Sequence, residues 1–377
     1  MELTPAILAH IEAHREEAYQ LLLTLAQIPA PSNHEELRAE FCKTWLEQQG
    51  AKGVYIDEAL NVIYPIGAEG DQPLMVFMAH SDVVFPDMDT LPLKVEDGKI
   101  KCPGIGDDTA NVVALLMAAQ YIAQNNLTPK NCGILVVINS GEEGLGDLKG
   151  TRKLMEVYGQ RVKEFVTFDS YADSISDRAV GSRRYLIAID TEGGHSLVDF
   201  GNRNAIHYMA SLIDTLYTMK VPEMGRSSYN VGTISGGTSV NTIAQHAEMR
   251  YEFRSDVGQS LDIMEAHLQA ALALYRAKGI RVTVTPIGNR PCSGDVDPEA
   301  QARLTARATA AIEAHYGWTP VNKAMSTDCN IPLSMGIPAV CASCVMGAGA
   351  HTREEEVEID SLYPGLKVCF RMVLEHF

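Results

Sequence analysis

Three apolar runs in the first half of the chain, PLMVFMA (73–79), GILVVIN (133–139) and FVTF (165–168), each stop abruptly at acidic or histidine residues. Short apolar runs with polar stops read as strands buried on both faces, the pattern of a largely parallel sheet. Between the first two lies TANVVALLMAAQYIAQ (109–124), apolar on most sides and so expected to be a helix packed inside. Strands alternating with helices predict an α/β fold with helices on both faces of a mostly parallel mixed sheet. Upstream, Pro5 suits the first turn of a helix running to about Ala26. Ser32-x-x-Glu35 resembles a capping box for a second helix that carries Leu37, Phe41 and Trp45 on one face.

From about Val180 the texture changes. RRYLIAID, AEMRYEFRSD and RVTVTP read as strands, interleaved with helices near 204–219 and 260–278. In AEMRYEFRSD, Ala247, Met249, Tyr251 and Phe253 alternate with Glu248, Arg250, Glu252 and Arg254, which predicts an antiparallel sheet with one wet face. A helix near 298–316 and a strand around IPAVCASCVM then return to the earlier style. Residues 1–179 and 291–377 thus form one expected domain, with 180–290 a smaller α+β domain inserted in it. A chain of 377 residues exceeds what one core usually serves, which agrees with two domains.

Charge and composition exclude several classes. Lys and Arg total 31 against 48 Asp and Glu, a net charge of −17, and such a field repels nucleic-acid phosphates. No stretch approaches the roughly 20 apolar residues of a membrane helix, and the N-terminus lacks the pattern of an export signal. The expectation is a cytoplasmic protein without a membrane or nucleic-acid partner. Eight scattered cysteines fit reduced thiols, and Cys341-x-x-Cys344 reads as two buried thiols on a strand.

The chemistry gathers at strand ends and turns, where open α/β sheets place their ligand sites. His80-Ser81-Asp82, Gly106-Asp107-Asp108, Glu142-Glu143 and Asp169 are joined by His351 near the C-terminus. Two histidines with several carboxylates suit zinc or another borderline divalent ion in a hydrolytic site. Residues i and i+2 of an extended segment face the same way, so Asp82 can accept the second ring N–H of His80. Glu142 and Glu143 follow a strand directly and point in different directions, so one can bind metal while the other meets water as general base. Gly104-x-Gly106 invites comparison with a dinucleotide fingerprint, but Asp107 and Asp108 would repel phosphate and attract a cation. Asp108 is assigned the helix cap. There is no G-x-S-x-G, no P-loop and no H-E-x-x-H; His10 and His14 imitate the last on what reads as a solvated helix face.

In this order, HSDVVF (80–85), GIGDDTANV (104–112), SGEEGLGDLKG (140–150), FDS (168–170), GGHS (193–196), GGTSVNTIA (236–244), EFRSD (252–256), STDCNIP (326–332) and GAGAHTREEEVEIDSL (347–362) make the chain similar to a dinuclear zinc family. That family includes peptidase T, carboxypeptidase G, aminoacylase, acetylornithine deacetylase and succinyl-diaminopimelate desuccinylase. The resemblance implies that His80 and Asp169 hold one zinc, Glu143 and His351 the other, and Asp107 bridges them through a cis peptide bond to Asp108. It implies that Glu142 is the general base toward a hydroxide shared by the ions, with Asp82 the partner of His80; manganese or cobalt could replace zinc.

The inserted domain would match the family's lid and dimerisation domain. There His195 resembles the donor to the scissile carbonyl oxygen, often supplied by a partner subunit, and Asn241 and Arg254 resemble the receivers of a substrate carboxylate. One departure is Thr109-Ala110, where many relatives have Lys-Gly after the paired aspartates; it weakens assignment to the familiar deacylase and desuccinylase branches. The leading expectation is hydrolysis of short peptides by a homodimer. N-acyl amino acid deacylation by the same machinery is the alternative, and a catalytically silent metal-binding regulator the rival of another class.

Overall fold

The computed structural model describes residues 2–377, which divide into two compact units, one up to Ala179 together with Gly294–Phe377 and the other Val180–Ser293. In the larger unit, helices α1 (Pro5–Ala13), α2 (Arg15–Ala26) and α3 (Glu36–Gln48) precede strands β1 (Tyr55–Ile56), β2 (Val62–Ile66) and β3 (Leu74–His80). There follow α4 (Ala110–Gln124), β4 (Gly133–Asn139), α5 (Lys149–Tyr158) and β5 (Val162–Phe168). After the second unit come α6 (Pro298–Tyr316), β6 (Ala339–Ala342) and α7 (Ile359–Leu374). The sheet runs β1-β2-β4-β3-β5-β6. Its four last members are parallel, while β1 and β2 join antiparallel at one edge.

Alternation along each strand feeds two cores. Phe77, Ala79, Ile134, Val136, Ile138, Val166 and Phe168 face the cluster built from α1, α2, α3, α4, α6 and α7. Val76, Met78, Leu135, Val137 and Phe165 face Leu154 and Met155 of α5 on the other side. Helices therefore cover both faces, as the unbroken apolar runs predict. Helix α4 is buried almost all round, and each of its fully buried leucines contributes about 1.5–3 kcal/mol relative to exposure.

Three N-terminal expectations need correction. Pro5–Ala26 is not one helix: His14 leaves helical geometry (φ −108°, ψ 15°), with its Nδ1 2.8 Å from the carbonyl oxygen of His10. A side chain competing for backbone groups ends α1 there. His10 is also half-buried, stacked on His14 and edge-on to Tyr121, so that face is not simply solvated. In α3 the buried residues are Arg38, Ala39, Cys42 and Leu46, whereas Leu37 is 65% exposed. The helix turns Arg38 inward because the guanidinium finds three acceptors inside: the carbonyls of Ile28 and Ser81 and the hydroxyl of Thr109.

The smaller unit is a four-stranded antiparallel sheet in the order Ser227–Gly236, His246–Ser255, Gly181–Asp190, Arg281–Arg290. Ala247, Met249, Tyr251 and Phe253 are buried on one face, packed with Met209 and Leu212 of helix Ala205–Leu216 and Met264 and Leu268 of helix Gly258–Ala277. All eight cysteines are buried free thiols.

Candidate active site

His80 is the last residue of β3, opposite Asn139 at the end of β4, and its side chain is fully buried. Its N–H donates to Asp108 Oδ2 (2.9 Å) and its ring Nδ1 lies 3.0 Å from the carbonyl oxygen of Asp82. A main-chain carbonyl only accepts, so Nδ1 carries a proton, and Nε2 is the nitrogen turned toward the carboxylates. That Nε2 stands 3.0 Å from Asp107 Oδ1 and 3.9 Å from Asp169 Oδ1. Asp169 directly follows β5, two strands from β4 across β3.

Glu142 and Glu143 sit in the loop between β4 and α5, both buried. Their backbone N–H groups donate to the two oxygens of Asp82, each at 3.0 Å, and Ser32 Oγ–H donates to Asp82 Oδ2 at 2.7 Å. Asp82 thus fixes the glutamate pair by its carboxylate and His80 by its carbonyl. The expected ring-to-carboxylate pairing is present as a long one, 3.5 Å from His80 Nδ1 to Asp82 Oδ1, while the carboxylate's closer bonds go to these donors. Ser32 serves this purpose rather than capping α3, and Glu35 turns to the N–H of Asn33 and to Lys149.

Asp107 lies in the turn Ile105–Thr109 ahead of α4, outside helical geometry (φ −115°, ψ 85°), and its bond to Asp108 is cis. Its second oxygen, Oδ2, is 3.2 Å from His351 Nε2, and His351 Nε2 is 2.9 Å from Glu143 Oε1. His351, at φ +63°, is carried between the short strands Gly347–Ala348 and Glu356–Glu358. Glu355, from the same segment, accepts N–H bonds from Gly104, Gly106 and Asp107 at 2.6–2.8 Å and so holds the Asp107 turn against it.

The five residues His80, Asp107, Glu143, Asp169 and His351 are therefore brought together. Donor atoms around a tetrahedral zinc with bonds of about 2.0–2.1 Å stand roughly 3.3 Å apart, so spacings of this size suit cations held between them. Asp107 turns one oxygen toward each histidine. His80, Asp107 and Glu143 offer donor atoms within 4.8 Å of one another, as do His80, Asp108 and Asp169. In the second group Asp108 is engaged otherwise, by the N–H of His80 and by Asn111 Nδ2 (2.7 Å); it ties β3 to α4 and is not the helix cap expected of it.

Five buried carboxylates, of Asp82, Asp108, Glu142, Glu143 and Asp169, and the partly buried one of Asp107 gather around the buried imidazole of His80 and the exposed one of His351. Burial pushes Glu143 up to about 7, its bond to His351 opposing and the charges of Asp107 and Glu142 adding to the rise. Burial also raises Asp169, and Asp107 raises it further. For Asp107 burial is outweighed by its bonds to His351 and His80, which hold it well below the usual carboxylate range. Conversely, bonds to Asp107 and Glu143 lift His351 to about 11. Crowded anions with too few cations are the electrostatic signature of a polyvalent metal site.

A profile of the peptidase family M20/M25/M40 matches residues 76–375. The chain belongs to that family. Its members are metal-dependent hydrolases of amide bonds, and this M20 enzyme is one of them. It is 24% identical over 328 residues to a succinyl-diaminopimelate desuccinylase of Paraburkholderia xenovorans, covering 80% of this chain and 82% of that one. Among solved structures it is similar to a tripeptidase from Staphylococcus aureus, with a TM-score of 0.74 at 21% identity over 95% of this chain and 97% of that one. A dinuclear metal-binding peptidase of Bacillus subtilis gives 0.64 at 16% identity, over 97% and 100%.

The M20 enzyme's other three predicted site residues lie in the smaller unit. His195, exposed on a two-residue strand, donates its N–H to Asp199 Oδ2 (2.7 Å). Its Nδ1 accepts N–H from Leu197 (3.2 Å) and Val198 (3.4 Å), which leaves the ring proton on Nε2, the atom able to donate outward. Asn241 shares this cluster through its carbonyl, which accepts the N–H of Ser196 (3.0 Å). Arg254 is held by both oxygens of Glu252, at 3.0 and 3.1 Å. It stands eight residues along its strand from His246, about 27 Å at the usual rise, whereas Asn241 lies beyond the His246 end. The two expected carboxylate receivers thus do not meet within the unit.

Sequence reasoning missed Ser32, Arg38 and Glu355. Ser32 was hidden by a plausible capping pattern, and Glu355 by the acidic run Glu354–Glu356. A buried arginine leaves no periodic trace at all.

Proposed function

We propose that this M20 enzyme is a cytoplasmic two-zinc exopeptidase acting on dipeptides, tripeptides or similar small amides. The observation that carries this reading is the position of Asp107, one oxygen toward His80 and the other toward His351. His80 and Asp169 would hold one ion, Glu143 and His351 the other, and Asp107 both. Two divalent cations bound there would supply Lewis acidity, lowering the pKa of water and polarising a carbonyl. Glu142 takes the proton from the attacking water and returns it to the departing amine nitrogen. Asp82 keeps that base aimed, since it binds the N–H of Glu142 directly. His195 donates from Nε2 to the carbonyl oxygen, within its own subunit or from a partner, and Asn241 and Arg254, which do not meet within one unit, would serve a substrate carboxylate from different subunits.

The homodimer is proposed through the smaller unit, whose edge strand Ser227–Gly236 has an exposed outer half with Ile234 55% exposed. A long uncovered edge invites pairing with another strand. N-acyl amino acid deacylation by the same residues stays as a second reading, supported by the desuccinylase likeness.

The test is Glu142→Gln assayed on di- and tripeptides beside N-acetyl and N-succinyl amino acids. Turnover should fall about 10²–10⁴-fold while two metal ions per chain remain by elemental analysis. Wild-type turnover in the variant would remove Glu142 from the mechanism, and turnover of acylated substrates alone would transfer the enzyme to the deacylases.

A further inference from the structure

Glu142 is carried by the loop Ser140–Leu148; Asn139, the end of β4, leads into it, and Thr151, in the first turn of α5, follows close after it. Both of these side chains point to one carboxylate. Asp328, fully buried ahead of the short helix Asn330–Ser334, accepts Asn139 Nδ2–H at 2.7 Å on Oδ2 and the hydroxyl proton of Thr151 on Oδ1. The loop closes across the same neck, with Gly150 N–H donating to the Ser140 carbonyl (3.1 Å) and Leu148 N–H to that of Gly141 (2.8 Å). Asn139 is in turn fixed to the metal-facing strand, since it pairs with His80 in the ladder and its carbonyl receives the N–H and hydroxyl of Ser81, both at 2.8 Å. A carboxylate can accept at both oxygens, and in a dry interior such bonds are short and directional. None of the site residues assigned above includes Asp328.

We propose that Asp328 is a positioning residue for the hydrolysis: by gripping Asn139 and Thr151 it clamps the neck of the loop and sets where the Glu142 carboxylate stands. The inference rests on the reading of Glu142 as the base. The ends of the loop are tied by side chains, while its middle is tied by Asp82 through the N–H groups of Glu142 and Glu143. Three anchors then define the glutamate pair, and Asp328 supplies two of them. Small misplacements of a reacting group cost rate rather than substrate affinity.

Asp328→Asn keeps the volume but loses the charge and one acceptor, and Thr151→Val removes one donor without changing shape. Each should lower kcat about tenfold or more, leaving KM within about twofold and the metal content intact. Thr151→Ser, which keeps the hydroxyl, should restore most of the rate. The deciding readout is the Glu142→Gln background, in which neither substitution should lower the residual turnover further, because the group being positioned is already gone. An equal fall in both backgrounds would show a general structural role and overturn the proposal. So would a rate loss that tracks metal loss, or unchanged kcat in both variants alongside an inactive Glu142→Gln enzyme. Should Glu142→Gln itself turn over normally, the base assignment fails first and takes the clamp with it. If Asp328→Asn does not fold, Thr151→Val and its serine counterpart decide alone.

Discussion

At the scale of single residues, the densest point of the site is Asp82. Its carboxylate takes three hydrogen bonds, from Ser32, Glu142 and Glu143, and its carbonyl orients His80. Asp82→Asn turns an amide N–H₂ toward donors that need an acceptor, so the pair of glutamates loses its register. We expect kcat to fall about 100-fold and metal affinity 10- to 100-fold, read by chelator titration. Ser32→Ala removes one donor only and should cost about 1 kcal/mol of stability with a milder rate loss. Full metal affinity and turnover in Asp82→Asn would discard this account of the carboxylate. His195 is a separate case, since its Nδ1 is occupied by backbone donors and only Nε2 faces outward. His195→Ala should lower kcat about 100-fold, roughly 3 kcal/mol of barrier, with much less effect on substrate binding; equal losses would point to docking or folding instead.

At the scale of elements, the approach to α4 shows how a helix start becomes part of a metal site. The turn Ile105–Thr109 has no N-terminal side-chain cap, and its amides are gathered by Glu355 from a segment about 250 positions away in the chain. Gly104, at φ +75°, is needed there: a Cβ would stand 2.3 Å from Val83 Cγ1. Glu355→Gln replaces one acceptor oxygen by a donor facing three amide donors. The expected result is a loss of about 1–3 kcal/mol in thermal or denaturant unfolding, with weaker metal retention because Asp107 loses its seat. Unchanged stability and metal content would mean that water replaces the carboxylate without cost. Strand existence was legible from the apolar runs, but α3 rotated away from its expected face because a buried guanidinium with backbone acceptors overrides hydrophobic periodicity.

At the scale of the molecule, three histidines outside the site contribute to acid sensitivity. Burial lowers His10, His315 and His376 to about 4, helped by the charge of His14 on the first, of Arg371 and Lys367 on the second and of Arg307 on the third. Their folded values lie below the unfolded value near 6.5, so between these limits the unfolded chain binds more protons. The stability these three contribute is therefore complete above about pH 6.5 and is lost as pH falls toward 4. His376→Gln should flatten this decline in Tm between pH 7 and 5, by an amount equivalent to about 1–3 kcal/mol; a parallel decline would exclude His376 as a contributor. What the amino-acid sequence determined by itself was the alternation of strands and helices, the inserted antiparallel layer, and the inventory of histidines and carboxylates at strand ends, because periodicity and local stops are properties of neighbours in the chain. Tertiary structure alone decided that Asp82 holds the glutamates as well as the imidazole, that Ser32 and Glu355 join the site, and that Asn241 and Arg254 stand apart. Those outcomes depend on which acceptors remain unclaimed once distant segments pack, and a linear pattern carries no record of that competition.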